Sequence, residues 1–216
     1  MFELAWNGLD ANATEVKVNI ETNEMDGTEA VEVFDNGDGI DFHNIQDNFA
    51  KFNDSSKSDA DQHGSHGRGR LAFFRISENA TWFTKHNNEN ARIKVCASDI
   101  KDFDGVSIDE SLQHSSLMQE PKGTIVTLSN CETNLPPHEV LLPKFTIEFG
   151  WYLALNNKKT LTLNNDPVPV PEHDLKEFNI SVEDNDFGLK VIRWHSKPTS
   201  EKSHYYLLNK DSCVIT

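Results

Sequence analysis

Residues 14–35 constrain the fold more than any other stretch. In TEVKVNIET (14–22), Val16, Val18 and Ile20 alternate with polar residues, the period of a strand with one buried face. EAVEVFD (29–35) is a second strand, and NEMDGT between them has the composition of a hairpin turn. A helix runs directly into this pair. In FELAWNGLDANAT, Phe2, Ala5, Trp6, Leu9 and Ala13 make an apolar face. Glu3, Asn7 and Asp10 stand at i, i+4 and i+7 and share the opposite face. Asn and Asp are poor helix formers that prefer caps and turns. A carboxylate, an amide and a second carboxylate aligned on one side therefore ask for a reason beyond solvation.

The rest of the chain continues the mixture. DFHNIQDNFAKF (41–52) carries Phe42, Ile45, Phe49 and Phe52 at helical spacing, and a long polar loop, NDSSKSDADQHGSHGRG, follows. RGRLAFFRIS (68–77) is expected to start another helix from glycines. NATWFTKH (79–86), ARIKVCAS (91–98) and GTIVTLSN (123–130) read as strands, and 136–155 holds a helix with Phe145, Phe149, Tyr152 and Leu153 apolar. After about residue 158 the chain turns rich in Pro, Asn and short strands, among them LKVIRWHS and HYYLLN. This places a domain boundary near 157, giving units 1–157 and 158–216. The irregular interleaving predicts an α+β sandwich, with a mixed, mainly antiparallel sheet and helices on one face.

Composition narrows the function. Among 216 residues, 37% are hydrophobic and include 13 Phe and 4 Trp, enough for a real core. No run of 18 apolar residues suggests a membrane span, and no signal peptide opens the chain. Cys96, Cys131 and Cys213 are scattered and odd in number, which fits a reducing cytoplasm better than a disulfide or zinc framework. The net charge of −15 speaks against nucleic acid, whose binders carry a basic stripe. An acidic protein can still hold a nucleotide through backbone amides and Mg²⁺. The start inside a helix and the strand-like CVIT at the end predict a piece of a longer protein.

Three further motifs carry chemistry. In FDNGDGI (34–40), a strand runs into Asp35, then Gly37 and Gly39 alternate; glycines let backbone approach a ligand closely, and the same string is also an ordinary tight turn. In HGSHGRGRLAFF (63–74), Gly64, Gly67 and Gly69 precede an apolar run, which makes either an anion site at a helix start or a surface loop. It lacks the Lys-Ser/Thr of a Walker A loop, and it does not follow the first strand of a Rossmann unit. In KGTIVTLSN (122–130), Gly123 and Thr124 lead into a strand.

In their order along the chain, these motifs resemble those of the GHKL ATPase superfamily: DNA gyrase B, the 90-kDa heat-shock chaperone, histidine kinases and MutL. ELAWNGLDANAT is similar to the first motif, DNGDGI to the second, GSHGRGRLAF to the third and GTIVTL to the fourth, over residues 2–130. The resemblance implies the Bergerat fold, followed by the start of a transducer-like segment as in MutL, chaperone and MORC-type ATPases. It implies Glu3 as general base and Asn7 as Mg²⁺ ligand. Asp35 would accept from the adenine amino group, with Gly37 beside it and with Thr124 and the Gly39 backbone holding adenine through water. Gly64, Gly67, Arg68 and Gly69 would cradle the phosphates. The loop 53–66 would be an ATP lid, with Ser55, Ser56 and Lys57 in it, and Lys190, Lys197 and Lys202 are candidates for a transducer lysine. Asp59, Asp61, His63 and His66 imitate a metal site but read better as loop surface. The function implied is Mg²⁺-dependent ATP binding and slow hydrolysis driving a conformational switch, with ATP-dependent homodimerisation of the full-length protein. The alternatives are a nucleotide-binding module that does not hydrolyse and a histidine-kinase catalytic domain.

Overall fold

The computed structural model describes residues 1–45, 73–183, 185–196, 206–208 and 214–215. Helix α1 spans Phe2–Asp10 and leads into strands β1 (Glu15–Thr22) and β2 (Thr28–Asp35), as the pattern predicts. Strands β3 (Ser77–His86), β4 (Glu89–Cys96), β5 (Asp99–Ser107) and β6 (Gly123–Cys131) follow, then helix α2 (His138–Leu155) and the short strands β7 (Thr160–Leu163) and β8 (Asp166–Pro167). These eight strands form one sheet in the order β5-β4-β3-β6-β2-β1-β7-β8. Only the β1–β7 pair in it is parallel. The sheet is thus mixed and mainly antiparallel.

The register arranges the face toward the helices in rows. One row holds Ile20, Val31, Leu128, Ala80 and Val95; the next holds Val18, Val33, Val126, Trp82 and Ile93. Helix α1 lies on these rows with Leu4, Ala5, Trp6 and Leu9 buried. Helix α2 packs beside it. Phe2 meets the Phe145 ring edge-on at 4.9 Å, Trp6 lies 4.7 Å from the Phe149 ring, and Trp6 Nε1 donates to Glu148 at 2.8 Å. Burial of this aromatic cluster is the main tie between the two helices.

The opposite face is covered only in part. Two 3₁₀ turns, Glu110–Leu112 and Ser115–Leu117, cross it, and Leu117 is buried on Phe34 and Ile125. Phe34 therefore fills a second small core, on the side of β2 facing away from Val33.

Two expectations change. The segment expected to be helical at 68–77 forms, among its described residues, a single 3₁₀ turn at 73–75, after which β3 begins at Ser77. The Ile76 N–H bonds to Phe73 O at 2.7 Å, and the β-branched and aromatic run then pairs in the sheet rather than extending the turn. Strand β5 was not expected. The helix expected at 41–52 lies outside the described residues from 46 onward.

The composition change near 158 does not coincide with the end of the sheet. β7 pairs with β1, and Val168 is buried in the main core. Beyond it, β9 (His173–Val182) and β10 (Asn185–Trp194) form a separate antiparallel hairpin. Leu207–Leu208 and Val214–Ile215 make a further short pair.

Candidate functional site

The first row of the helix-facing side differs from the others. Val16, Asp35, Thr124, Thr84 and Ala91 are partners across β1, β2, β6, β3 and β4. Alternation along β2 puts Asp35 on the same side as Val33 and Val31, so its carboxylate points between sheet and helix rather than to solvent. The apolar layer thus ends in a polar notch of one carboxylate and two hydroxyls, with Asp35 7%, Thr124 7% and Thr84 1% exposed.

Helix α1 closes the notch. A Cβ on Gly8 would lie 2.7 Å from Asp35 Cβ, so the helix approaches the carboxylate closely because residue 8 has no side chain. The carboxylate accepts from the Gly37 N–H at 2.9 Å and from the backbone of Thr124. Burial nevertheless raises its pKa from 3.8 to about 6, against the lowering effect of these two bonds, and Asp38 nearby adds to the rise. At neutral pH the group is an acceptor. Two backbone donors leave positions on its two oxygens for a further donor.

The Asp-x-Gly-x-Gly turn is held against its surroundings. Gly39 has φ +74°, and a Cβ there would sit 2.3 Å from Lys85 O. Gly123 has φ +142°, and a Cβ there would sit 2.3 Å from Asp35 O. Both positions need glycine for conformation and for closeness. Asn36 Oδ1 accepts from the N–H groups of Thr14 and Glu15, each at 2.9 Å. The Ile40 N–H donates to Thr84 Oγ1 at 2.7 Å, and that hydroxyl also reaches Gly123 O at 3.2 Å and Thr124 Oγ1 at 3.3 Å.

Asp35, Gly37, Gly39 and Thr124, candidates from separate motifs, therefore come together at one end of the sheet. Glu3 and Asn7 lie exposed on α1, with Asn7 next to the Gly8 contact. Asp10 is half-buried at the end of the same helix. Gly64, Gly67, Arg68 and Gly69 lie outside the described residues, as do Ser55, Ser56, Lys57, Asp59, Asp61, His63, His66, Lys197 and Lys202. Lys190 is on the β9–β10 hairpin, 3.6 Å from Glu177. Among the described residues, no group of three or more His, Cys, Asp or Glu could hold a metal ion. Asn7, an exposed amide one turn after Glu3, still suits Mg²⁺, which takes few protein oxygens and keeps water and phosphate as its other ligands.

Sequence reasoning missed Thr84 and Gln113. Thr84 breaks the apolar alternation Ala80, Trp82 in β3, a signal that was there to be read. Gln113 is buried beneath the covering 3₁₀ segment and donates to Thr84 O at 3.0 Å and Asn90 Oδ1 at 2.8 Å. It supports Thr84 from the far side, through a contact no local pattern announces.

A family model described as histidine kinase-, DNA gyrase B-, and HSP90-like ATPase matches residues 1–124. No curated protein sequence matches the chain. Among solved structures, the ATPase region of topoisomerase II from Saccharomyces cerevisiae is similar, with a TM-score of 0.54 and 18% identity, over 77% of this chain and 47% of that one. The N-terminal domain of a DNA repair protein matches at a TM-score of 0.46 and 21% identity, over 75% of this chain and 46% of that one. The Aquifex aeolicus MutL ATPase domain complexed with ADP gives a TM-score of 0.46 and 18% identity, over 82% and 69%. The chain spans just under half the length of the topoisomerase and DNA repair structures.

Proposed function

Because the chain belongs to the histidine kinase-, DNA gyrase B- and HSP90-like ATPase family, we propose that its notch is the adenine end of a Mg²⁺-dependent ATP site. ATP would be hydrolysed slowly, and the cycle would act as a conformational switch in a longer protein. The observation that carries this reading is Asp35, a buried carboxylate at a strand end whose remaining acceptor positions face a polar notch.

In this reading Asp35 accepts from the adenine amino group, and Thr124 and the Gly39 backbone hold the ring through water. Asn7 would hold Mg²⁺ through its amide oxygen, and the ion would supply positive charge against the phosphates. Glu3, one helical turn or about 6 Å from Asn7, orients and deprotonates the attacking water. Gly64, Gly67, Arg68 and Gly69 are assigned to the phosphates by their motif. Within the strand-rich segment 158–216, the part after Val168 is assigned as the start of a transducer-like unit. The pairing of β7 with β1 favours a division after Val168 over one at 157. Homodimerisation on ATP binding and a cytoplasmic location complete the proposal. No helix among the described residues is long and apolar enough to cross a membrane.

Calorimetric titration with ATP and Mg²⁺ tests the site. The wild type is expected to bind and Asp35→Asn to lose binding by at least about tenfold; equal affinities would sink the adenine assignment. Phosphate release tests the chemistry. Glu3→Ala should bind ATP normally and release no phosphate above background. Equal, negligible release by both proteins with intact binding would instead make this a binding module without hydrolysis.

A further inference from the structure

We propose that Asp38 is a positioning residue for the nucleotide site, clamping the Asp35–Gly39 turn between the segment after α1 and the start of β6. The inference rests on the adenine assignment of Asp35.

Residue 38 stands between two glycines. A Cβ on Gly37 would lie 2.6 Å from Ala11 O, and one on Gly39 would lie 2.3 Å from Lys85 O. Neither glycine has a side chain with which to hold the turn, and a Gly-x-Gly segment loses much backbone freedom when it is fixed. The side chain between them makes the ties. The Asp38 carboxylate accepts from Asn12 Nδ2 at 2.7 Å and from Lys122 Nζ. These bonds lower its pKa from the usual carboxylate value, the Lys122 bond most strongly.

The main chain of residue 38 is tied as well. Its N–H donates to Ala11 O at 2.8 Å. Its carbonyl lies 2.7 Å from His86 Nδ1. The other ring nitrogen, His86 Nε2, faces the amide donor Asn87 Nδ2 at 2.9 Å, so Nδ1 carries the proton and donates to Asp38 O. One residue thus connects the chain after α1, the end of β3 and the start of β6.

A lone surface ion pair contributes little. Here the Asp38–Lys122 pair is half-exposed, but it acts on a turn whose neighbours Asp35 and Thr124 are buried in the notch. Loosening the turn would let Asp35 wander from the position where a planar donor can meet it. Small displacements of a binding group are costly when its partner is rigid. Lys122 is in this view the far anchor of the clamp and not a phosphate ligand.

The test measures affinity for ADP and for ATP with wild type, Asp38→Ala, Lys122→Met and the swap Asp38→Lys/Lys122→Asp, with Asp35→Asn beside them. Asp38→Ala should weaken ADP and ATP alike, by about three- to tenfold, and Lys122→Met by about two- to fivefold. The swap restores the ion pair but not the Asn12 bond, so its affinity should lie between those of Asp38→Ala and the wild type. Thermal midpoints of the folded variants should stay near the wild type. Lys122→Met keeps the proposal open to refutation if Asp38→Ala does not fold. Unchanged affinity in Lys122→Met, or a loss that grows from ADP to ATP, would overturn it. If Asp35→Asn binds as the wild type does, the adenine assignment itself has failed; if only the Asp38 and Lys122 variants bind normally, the clamp alone has.

Discussion

At the end of β2 a carboxylate is buried among hydroxyls, whereas on the β9–β10 hairpin apolar side chains stand in the open. Phe178 pairs with Leu189, Ile180 with Phe187 and Lys176 with Val191, so these side chains share one face. Phe178 is 49% and Phe187 56% exposed. The other face is mixed, with Glu177 beside Lys190 and Ser181 bonded to Asp186 toward the turn, and Leu175 opposite Ile192 and His173 opposite Trp194 at the far end. The eight-stranded sheet has two helices on its apolar face and can spend one row on polar groups. Toward its turn, from Lys176 to Ser181, the hairpin has the same alternation, but no described element covers the side of Phe178 and Phe187. Alternation in sequence therefore says which face is apolar, not whether anything is packed on it.

The largest effect expected from this contrast is on stability. Phe149 is fully buried against Phe2 and Trp6, so Phe149→Ala should cost about 3–5 kcal/mol in chemical denaturation. Equal losses from Phe149→Ala and Phe178→Ala would mean that the hairpin is packed as firmly as the sheet.

Next comes the turn. Gly39→Val combines a left-handed φ of +74° with a Cβ placed 2.3 Å from the Lys85 carbonyl. It should destabilise by about 1–3 kcal/mol and abolish ATP binding, both readable in one melting series with and without nucleotide. A variant as stable as wild type would show that the turn yields.

Asp35 is where burial works against stability. Its folded pKa of about 6 exceeds the unfolded value of 3.8, so the fold holds that proton more tightly than the unfolded chain does. This contribution is complete below about pH 4 and is lost as pH rises through 6. At pH 7–8 Asp35→Asn should therefore be more stable than wild type by about 1–3 kcal/mol, with the gap closing toward pH 4, while nucleotide binding is lost. A less stable Asp35→Asn at pH 7 would mean that the two backbone bonds outweigh desolvation. Binding has the opposite sign. The ionised carboxylate is the stronger acceptor for an amino group, so ATP affinity should fall as pH drops below about 6, and binding near pH 6 should release a proton. Titrations in buffers of different ionisation heat measure that release.

Much of the sheet was legible in the sequence because its strands alternate cleanly: β1 through Val16 and Val18, β4 through Ala91, Ile93 and Val95. Strand β5 was not. Asp99, Asp102, Asp104 and Gly105 are poor strand formers, yet Gly105 fits beneath Phe42 and Phe103, where a Cβ would stand 3.1 and 3.2 Å from the two rings. Asp35 and Thr124 were legible as motif residues, but their adjacency is a fact of β2–β6 register. Thr84 showed locally, as the polar break in the Ala80, Trp82 alternation, whereas Gln113 depends wholly on such non-local pairing, which periodicity does not encode. The short turn at 73–75 was misread as a helix because an apolar run after glycines has no period of its own.

The smallest effect is expected on the hairpin. Replacing both Phe178 and Phe187 by Ser removes half-exposed rings whose described surroundings include no core residue. Folding stability should change by less than about 0.5 kcal/mol, the range of ordinary surface substitutions. ATP affinity should be unchanged, because the hairpin forms a sheet of its own, apart from the strands that carry the notch. Binding of a dye specific for exposed apolar surface should fall, since these rings make up much of the bare face. A loss of stability approaching that of Phe149→Ala would reverse the comparison, because it would require the apolar face to be covered when the protein is folded in solution.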